Sequence, residues 1–415
     1  MVNLKLDFKQ KIAGLLVILA VIGPGIITAN VDNDAGGITT YSLAGAQFGY
    51  LLLWTLIPIT ILLIIVQEMC ARLGVVTGKG LADLIRENFS LKITFFAMGL
   101  LVIVNITNTI SEFAGIAASS EIFGLSRYIS VPLAGLFVFW LVLKGSYKSV
   151  EKIFLAACLF YITYIISGFL VKPDWIQVVK YTIVPTFQLN KAYLITVVAM
   201  IGTTIAPWMQ FYMQSSIVEK GIKKGELKYS RWDVITGSII TDVVAFFIIL
   251  ATAATIFAAG LKIETAGDAA RSLFPLAGKY AGYLFAFGLL NASLFAASIL
   301  PLSTAYSVSE AFGWESGVNR KFSEARKFYI LYAAMIIIGM IFALIPHFSL
   351  VTLMFFSQVL NGILLPFIII FMLRLINKEE LMGEYKSGKI YNIIIWLSCI
   401  IIIAITLAML YLMIF

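Results

Sequence analysis

Two carboxylates interrupt the first apolar stretch of the sequence. Asp32 and Asp34 lie within a run of apolar and small residues that is long enough to cross a bilayer. A charge at that depth costs at least about 2.5 to 3.5 kcal/mol unless it has a partner. No basic residue stands beside them in the sequence, so we expect the partner to be a cation from solution, held by carboxylate and free carbonyl oxygens. The alternative is that Asp34 only caps the helix that follows it.

A second apolar stretch is interrupted in a similar way. The first interruption comprises Gly23–Gly25 and Asn30–Gly37, and the second comprises Gly202–Thr204 and Ala206–Pro207. Paired interruptions at corresponding positions indicate the midplane site of a transporter, because unwound backbone leaves carbonyl groups free to coordinate an ion. Two unrelated kinks would be the structural alternative.

The elements that position these segments are predicted to be transmembrane helices. Hydrophobic residues make up 61% of the chain and charged residues 13%, and the mean hydropathy is +0.98, which excludes an ordinary soluble domain. Apolar runs of roughly 18 to 25 residues recur from end to end, which predicts an all-α integral membrane protein with about eleven transmembrane helices. The predicted spans are Lys11–Asn30 continued by Ile38–Ala46, Leu51–Ala71, Thr94–Ala117, Ile129–Leu143, Ile153–Val171, Ala192–Val218, Ile235–Phe257, Tyr280–Phe312, Phe328–Ile345, Val351–Leu373 and Tyr391–Phe415.

The order of the spans predicts one transmembrane domain, residues 1–415, built from two inverted five-helix repeats. Repeat one covers about residues 11–171, repeat two about 192–373, and an extra helix about 391–415. Five spans precede the second interrupted span, and an odd number means that the second set starts from the opposite side of the membrane. Helices 1 and 6 are the broken ones.

The 30 Lys and Arg residues are concentrated in alternate loops. The positive-inside rule therefore predicts a multi-pass protein of the cell membrane with a cytoplasmic N-terminus. The excess of Lys and Arg in the loops on one side of the lipid bilayer accounts for the net charge of +8. No nucleic-acid partner is therefore expected. No nucleophile with a base, metalloprotease motif or phosphate loop stands out, so we do not expect an enzyme.

Three separated segments resemble the Nramp metal-transporter family. They are Gly23–Gly37, Gln67–Lys79 and Ser357–Phe367, and Gly45–Tyr50 is a weaker match between the first two. The resemblance covers nearly the whole chain and implies a LeuT-like fold. Within the family, the sixth-span sequence Ala206–Tyr212 is most similar to the Nramp-related magnesium transporters.

The resemblance also implies a set of metal ligands. In the family, the first broken helix carries Asp-Pro-Gly-Asn and the sixth carries Met-Pro-His, and the Asp, Asn, Met and backbone carbonyls hold a transition metal. In this chain the Asp falls on Asp34 and the Asn on Gly37. The Met falls on Ala206 and the His on Trp208, while Thr203 falls on the carbonyl-donating position. The family's tenth-helix Gln falls on Gln358, which could reach the ion directly or through water, or bond another helix.

The departures from the family pattern favour a hard, hydrated ion. Ala206 removes a soft thioether ligand that favours transition metals, whereas Mg2+ prefers oxygen and gives up its water reluctantly. Gly37 and Ala206 are also expected to leave space around Asp34 for part of a hydration shell. We therefore expect transport of Mg2+, and also of Mn2+, as substrate, with no cofactor.

Proton coupling is expected to be absent. His347 is the only histidine, and the family's third-helix Asp falls on Thr109, so that only Glu112 is retained from the titratable pair. A proton relay needs a series of titratable groups, and uncoupled uptake is therefore the favoured mechanism. The alternatives are a proton-coupled Mn2+ or Fe2+ transporter, a sodium-coupled amino-acid transporter of the same superfold, and a receptor that uses a transporter fold.

Four further charged residues fall within the predicted spans. Glu68 and Arg72 are spaced i to i+4, which predicts a structural ion pair. Asp242 and Glu310 are expected to line a vestibule in the cytoplasmic half of the membrane or to form structural pairs.

Overall fold

The computed structural model describes residues 23–263, 268–270, 273, 278–345 and 350–414. Every element in these residues is helical. The first half of the first predicted span and His347 lie outside them. In chain order the helices are α1 Pro24–Asn30, α2 Ala35–Phe48, α3 Leu56–Thr77, α4 Leu81–Asn88, α5 Leu91–Ile122, α6 Arg127–Lys144, α7 Tyr147–Leu159, α8 Ile162–Leu170, α9 Trp175–Ile183, α10 Lys191–Thr204, α11 Pro207–Lys220, α12 Leu227–Thr252, α13 Lys279–Phe312, α14 Arg326–Leu344, α15 Leu350–Ile376, α16 Glu379–Met382 and α17 Lys389–Ile414.

Ten stretches within these residues are long and apolar enough to cross a membrane. They coincide with the second to eleventh predicted spans, which confirms an all-α membrane protein. The observed helices extend beyond the apolar runs into polar flanking residues, as α12 does by beginning at Leu227. A helix can continue beyond its apolar run, because polar residues are tolerated where a span leaves the hydrocarbon.

The two interrupted spans occupy the centre of the helix assembly. The span Lys191–Lys220, which contains α10 and α11, is 89% buried within the protein, whereas Lys389–Met413 is 28% buried. The C-terminal helix α17 therefore lies at the periphery. Large apolar side chains such as Leu136 and Phe96 are exposed on the outside of the assembly, as expected for surfaces that face lipid tails.

Glycines allow the central helices to approach closely. A Cβ atom at Gly202 of α10 would lie 2.0 Å from the carbonyl oxygen of Gln358 on α15. A Cβ atom at Gly362 would lie 2.5 Å from the carbonyl oxygen of Val198. Small residues at facing positions are the common way in which membrane helices pack backbone to backbone, and here they press α15 against the second interrupted span.

The start of α1 is held by a carboxylate from α12. Asp233 accepts hydrogen bonds from the amides of Gly23 (3.1 Å), Gly25 (2.7 Å) and Ile26 (3.2 Å). These amides lie in the first turn of the helix and have no intrahelical acceptor, so Asp233 acts as their cap from another element. The contact fixes α1 against α12, and thereby fixes the position of the chain that follows α1.

The predicted ion pair between Glu68 and Arg72 is confirmed. Glu68 Oε2 lies 3.1 Å from Arg72 Nη2, and Glu68 Oε1 lies 2.8 Å from Nε of Arg231 on α12. The hydroxyl of Tyr391 on α17 donates to Glu68 at 2.8 Å. These contacts connect α3, α12 and α17, so the pair has a structural role and is separate from the interrupted spans.

Candidate metal centre

The first interruption consists of a short 3-10 turn and one extended residue. Helix α1 ends at Asn30, the turn covers Val31–Asn33, and Asp34 has φ −73° and ψ −178°. Helix α2 then begins at Ala35. Asp34 Oδ1 accepts a hydrogen bond from the amide of Gly37 at 2.6 Å, so the residue does cap α2. This cap engages one of its two carboxylate oxygens.

The second interruption leaves a backbone carbonyl without its usual donor. Helix α10 ends at Thr204, and α11 begins at Pro207 with Ala206 as its N-cap. In an α-helix the carbonyl of Thr203 would accept from the amide of residue 207, but proline has no amide hydrogen. Thr203 therefore has the free carbonyl that a cation site at this position requires.

The two interruptions lie side by side. The hydroxyl of Thr203 donates to the carbonyl oxygen of Asp32 at 3.5 Å, and the hydroxyls of Tyr41 and Thr204 are 2.6 Å apart. Gln358 of α15 joins them, because a Cβ atom at Gly36 would lie 2.0 Å from Gln358 Nε2 and 3.3 Å from Asp34 Oδ1. The structure therefore brings together Asp34, Gly37, Thr203 and Gln358.

Ala206 and Gln358 are engaged in contacts of their own. The carbonyl of Ala206 accepts from the amide of Met209 (3.1 Å) and from Nε2 of Gln210 (3.0 Å). Its methyl group is buried at the second interruption. Gln358 Oε1 accepts from Asn361 Nδ2 at 2.8 Å, which is a bond within α15. The side chain of Gln358 is thus oriented by its own helix while its amide nitrogen faces α2.

The space expected beside Gly37 is absent, and that expectation is wrong. A Cβ atom at Gly37 would lie 2.1 Å from the carbonyl oxygen of Asp32 and 2.9 Å from Thr203 Oγ1. The backbone of the first interruption folds over the glycine and fills the volume that a side chain would take. Glycine is therefore needed here for close backbone approach, and any additional room around the ion must come from the side of Ala206.

Substitution of Gly37 is expected to destabilise the protein. The carbonyl that a methyl group would meet belongs to the backbone, so Gly37→Ala should lower the free energy of unfolding by about 1 to 3 kcal/mol, the usual range for overpacking. Thermal unfolding in detergent measures the effect. Gly99→Ala is the matched control, since Gly99 lies in α5 with open space around its Cα and its replacement by alanine favours the helix. Equal melting temperatures for the two variants would contradict the packing described for Gly37.

Glu112 is a member of the site that the sequence did not place there. Its Oε2 accepts a hydrogen bond from the amide of Ala35 at 3.0 Å, and its carboxyl group interacts with that of Asp34. Both side chains are buried. An acidic residue within an apolar span is the sequence signal for such a role, and Glu112 is the one titratable group retained from the pair on that span.

Asp242 also lies near the first interruption, and its position in the cytoplasmic half of the membrane stays a prediction. Asn33 Nδ2 donates to the carbonyl of the adjacent Thr241 at 3.0 Å, and Asp242 interacts electrostatically with Asp32. The register of α12 against the first interruption sets this position. Glu310, by contrast, accepts from Ser215 Oγ at 2.5 Å and lines a cavity of about 260 Å3 with Lys79, which agrees with a vestibule.

The candidate ligands other than Asp34 are mostly neutral oxygen atoms. Among the described residues, no group of three or more His, Cys, Asp or Glu side chains is arranged to hold a metal ion. The oxygen atoms nearest to this segment are instead the hydroxyl of Thr203 and the carbonyl of Asp32, which lie 3.5 Å apart. Such an arrangement of one carboxylate with neutral oxygens suits a hard cation that retains part of its water shell.

The sequence matches the model of one protein family over most of its length. The model described as "Nramp: Natural resistance-associated macrophage protein-like" matches residues 25–412. The chain belongs to the Nramp family. Among curated Nramp relatives, the divalent metal cation transporter MntH of Bacillus subtilis is 26% identical over 95% of this chain and 92% of its own length. MntH of Deinococcus radiodurans is 26% identical over 94% of this chain and 89% of its own.

Solved structures show the same fold at low sequence identity. The manganese transporter of Eremococcus coleocola superposes with a TM-score of 0.77 at 23% identity, covering 95% of this chain and 86% of that chain. The nucleobase-cation-symport-1 family transporter Mhp1 superposes with a TM-score of 0.59 at 13% identity, covering 94% and 90%. The Nramp chain thus shares its architecture with LeuT-fold transporters, as the broken helices predict.

Trp208 shows how this chain departs from the Nramp pattern at the sixth span. Its side chain is 1% exposed, and its carbonyl accepts from the hydroxyl of Ser303 on α13 at 2.9 Å. An indole carries no titratable proton in the physiological range. The position that the Nramp pattern gives to a histidine therefore serves helix packing here.

Proposed function

We propose that this protein carries divalent metal cations across the membrane, with hydrated Mg2+ as its main substrate and Mn2+ as a second one. It is a membrane transporter of the Nramp family and not an enzyme. The observation that carries the proposal is the buried Asp34 carboxylate where two interrupted helices meet, since the hydroxyl of Thr203 in the second interruption donates to the carbonyl of Asp32 in the first. A carboxylate in this setting attracts a cation and repels the carboxylate of an amino-acid substrate.

Magnesium is favoured by the chemistry of the available ligands. The side chains and carbonyls around Asp34 supply oxygen, and the position that the Nramp pattern gives to a thioether is the methyl group of Ala206. Mg2+ binds oxygen and commonly keeps several of its waters. A transition metal would lose the soft ligand that favours it over Mg2+ and Ca2+. Because a side chain is excluded at Gly37, Ala206 becomes the position on which this selectivity depends.

The proposed topology follows from charge and from the order of the spans. Lys and Arg residues cluster in alternate loops, so the N-terminus is assigned to the cytoplasm. Residues 11–171 and 192–373 would form the two inverted repeats of one domain, with the helix near residues 391–415 as an addition. Rocking of one part of the structure against the other would then expose Asp34 alternately to the two sides.

Uptake is expected to occur without proton transport. Glu112 is the specific observation in favour of the proton-coupled alternative, because its carboxyl group faces Asp34. However, Thr109 bonds to the carbonyl of Asn105 at 2.7 Å, and a hydroxyl cannot pass a proton onward as a carboxylate does at neutral pH. The relay therefore lacks the second titratable group that the Nramp pattern places on the same helix as Glu112.

The test uses purified protein in liposomes that contain a pH-sensitive dye. With Mn2+ or Mg2+ supplied outside, we expect metal uptake with no acidification of the lumen above that of protein-free vesicles, and no uptake driven by an imposed pH gradient. Proton entry in fixed proportion to metal entry would establish the coupled alternative. Addition of a protonophore and valinomycin with K+ separates true coupling from charge compensation.

A further inference from the structure

Asp32 is a buried carboxylate with nothing to balance it. Its side chain is 0% exposed, and both carboxylate oxygens are without a hydrogen-bond partner. An unpaired charge in the membrane interior costs several kcal/mol. Asp34 caps α2, whereas Asp32 makes no comparable side-chain bond, and its cost must therefore be offset in another way.

A second buried carboxylate lies on α12, next to the first interruption. Asp242 is 5% exposed, and neither of its oxygens accepts a geometrically sound hydrogen bond, because the nearby hydroxyl of Thr60 donates to the carbonyl of Leu56 at 2.7 Å. The bond from Asn33 Nδ2 to the carbonyl of Thr241 holds the residue next to Asp32 against the residue next to Asp242. The two carboxyl groups interact electrostatically, and two such groups repel each other unless one of them is protonated or a cation lies between them.

The surroundings of this pair offer further oxygen atoms. The hydroxyl of Tyr41 lies 2.6 Å from that of Thr204, and Tyr41 interacts with both Asp32 and Asp242. Among the described residues, every ion pair of a Lys or Arg involves another carboxylate, and none reaches Asp32 or Asp242. The pair is thus an acidic, all-oxygen environment without a protein cation.

The two aspartates of the first interruption differ in the carboxyl group with which each interacts most strongly. Asp34 shares a hydrogen bond with Glu112 of α5, while Asp32 interacts more strongly with Asp242 of α12 than with Asp34. One divalent cation at Asp34 balances the carboxyl groups on the α5 side. When both carboxyl groups on the α12 side are ionised, a second cation of the same charge would neutralise them.

We infer that Asp32 and Asp242 form a second divalent-cation site, next to the one at Asp34. Two carboxylates with hydroxyl groups and water are suitable ligands for Mg2+ or Mn2+. The inference rests on the proposed transport of divalent cations and adds that the resting protein holds two such ions. An ion at Asp32 and Asp242 would also lower the affinity of the Asp34 site by electrostatic repulsion, which helps a transported ion to leave.

The test is the number of Mn2+ ions bound per chain, measured by equilibrium dialysis of the purified full-length protein in detergent. We expect two ions for the wild type and one for Asp242→Asn, with one ion retained in Asp34→Asn. Electron paramagnetic resonance gives an independent readout, since two neighbouring Mn2+ ions broaden each other's signal and Asp242→Asn should restore a narrow one. Glu384→Gln is the matched control, because it removes one carboxylate at an exposed position and should leave two ions bound.

The outcomes separate this inference from the proposed function. One bound ion in the wild type, lost in Asp34→Asn and unchanged in Asp242→Asn, would overturn the second site and leave transport through the first intact. No bound ion in the wild type would overturn both. If Asp242→Asn fails to fold, the wild-type stoichiometry and spectrum still decide, and Asp32→Asn replaces it as the variant.

Discussion

Asp34→Asn is expected to reduce Mn2+ uptake into liposomes by about a hundredfold or more. The asparagine oxygen can still accept from the amide of Gly37, which Asp34 does at 2.6 Å, so the cap of α2 is retained. The negative charge is lost. Breaking a buried ion pair by removing one partner costs about 3 to 5 kcal/mol, and every 1.4 kcal/mol is tenfold in affinity. Uptake is followed by quenching of an entrapped fluorescent chelator.

The asparagine variant separates the charge from the cap. Asp34→Ala should abolish uptake as well, but it also removes a helix cap worth about 1 kcal/mol, so its melting temperature should fall while that of Asp34→Asn changes little. Asp174→Asn is the matched control, since Asp174 caps α9 through the amides of Ile176 and Gln177 and should transport as the wild type does. Wild-type uptake by a folded Asp34→Asn variant would show that the ion does not bind at this carboxylate.

Ala206→Met is expected to reverse the preference between Mg2+ and transition metals. A methionine at the N-cap of α11 adds a thioether next to the first interruption, and its flexible side chain can adapt to the buried position. The soft sulfur favours Mn2+ or Cd2+ over Mg2+, and its volume displaces water from the ion. We expect Mg2+ uptake to fall by about tenfold or more while Cd2+ binding strengthens, as measured by uptake assays and calorimetry.

Folding has to be shown for this variant before its selectivity is interpreted, because overpacking costs about 1 to 3 kcal/mol. The control is Ala156→Met, which adds the same side chain at an exposed position of α7 and should leave selectivity unchanged. Unaltered Mg2+ uptake in a folded Ala206→Met variant would show that residue 206 does not set selectivity. Gly37→Asn, which would restore the asparagine of the Nramp pattern, is unsuitable as a selectivity test, because the backbone of Asp32 fills that space.

Patterns among neighbouring residues in the sequence predicted the features that depend on a single helix. The length of the apolar runs predicted the ten described spans, because a helix needs about 20 apolar residues to cross the hydrocarbon. Pro207 predicted the break at the end of α10 through its missing amide hydrogen. The i to i+4 spacing of Glu68 and Arg72 predicted their ion pair, which lies at 3.1 Å because one helical turn brings such residues together.

Features that depend on how distant helices are placed against each other could not be predicted in this way. Asp242 lies 210 residues from Asp32 in sequence, and its position depends on the register of α12, which the cap by Asp233 helps to set. The crowding at Gly37 depends on the path of the Asp32 carbonyl over α2. The match to the Nramp motif identified Gly37 as the position of the family's asparagine, but it could not show that the backbone fills the space beside this glycine.

The measurement that tests the central claim most directly is Mg2+ entry into liposomes that contain the purified protein and an entrapped Mg2+-sensitive dye. With an inwardly directed Mg2+ gradient and a negative interior potential, we predict Mg2+ entry well above that of protein-free vesicles, competition by Mn2+, and no entry with Asp34→Asn. Mn2+ entry without any Mg2+ entry, by wild-type protein under the same conditions, would contradict the assignment of a magnesium transporter.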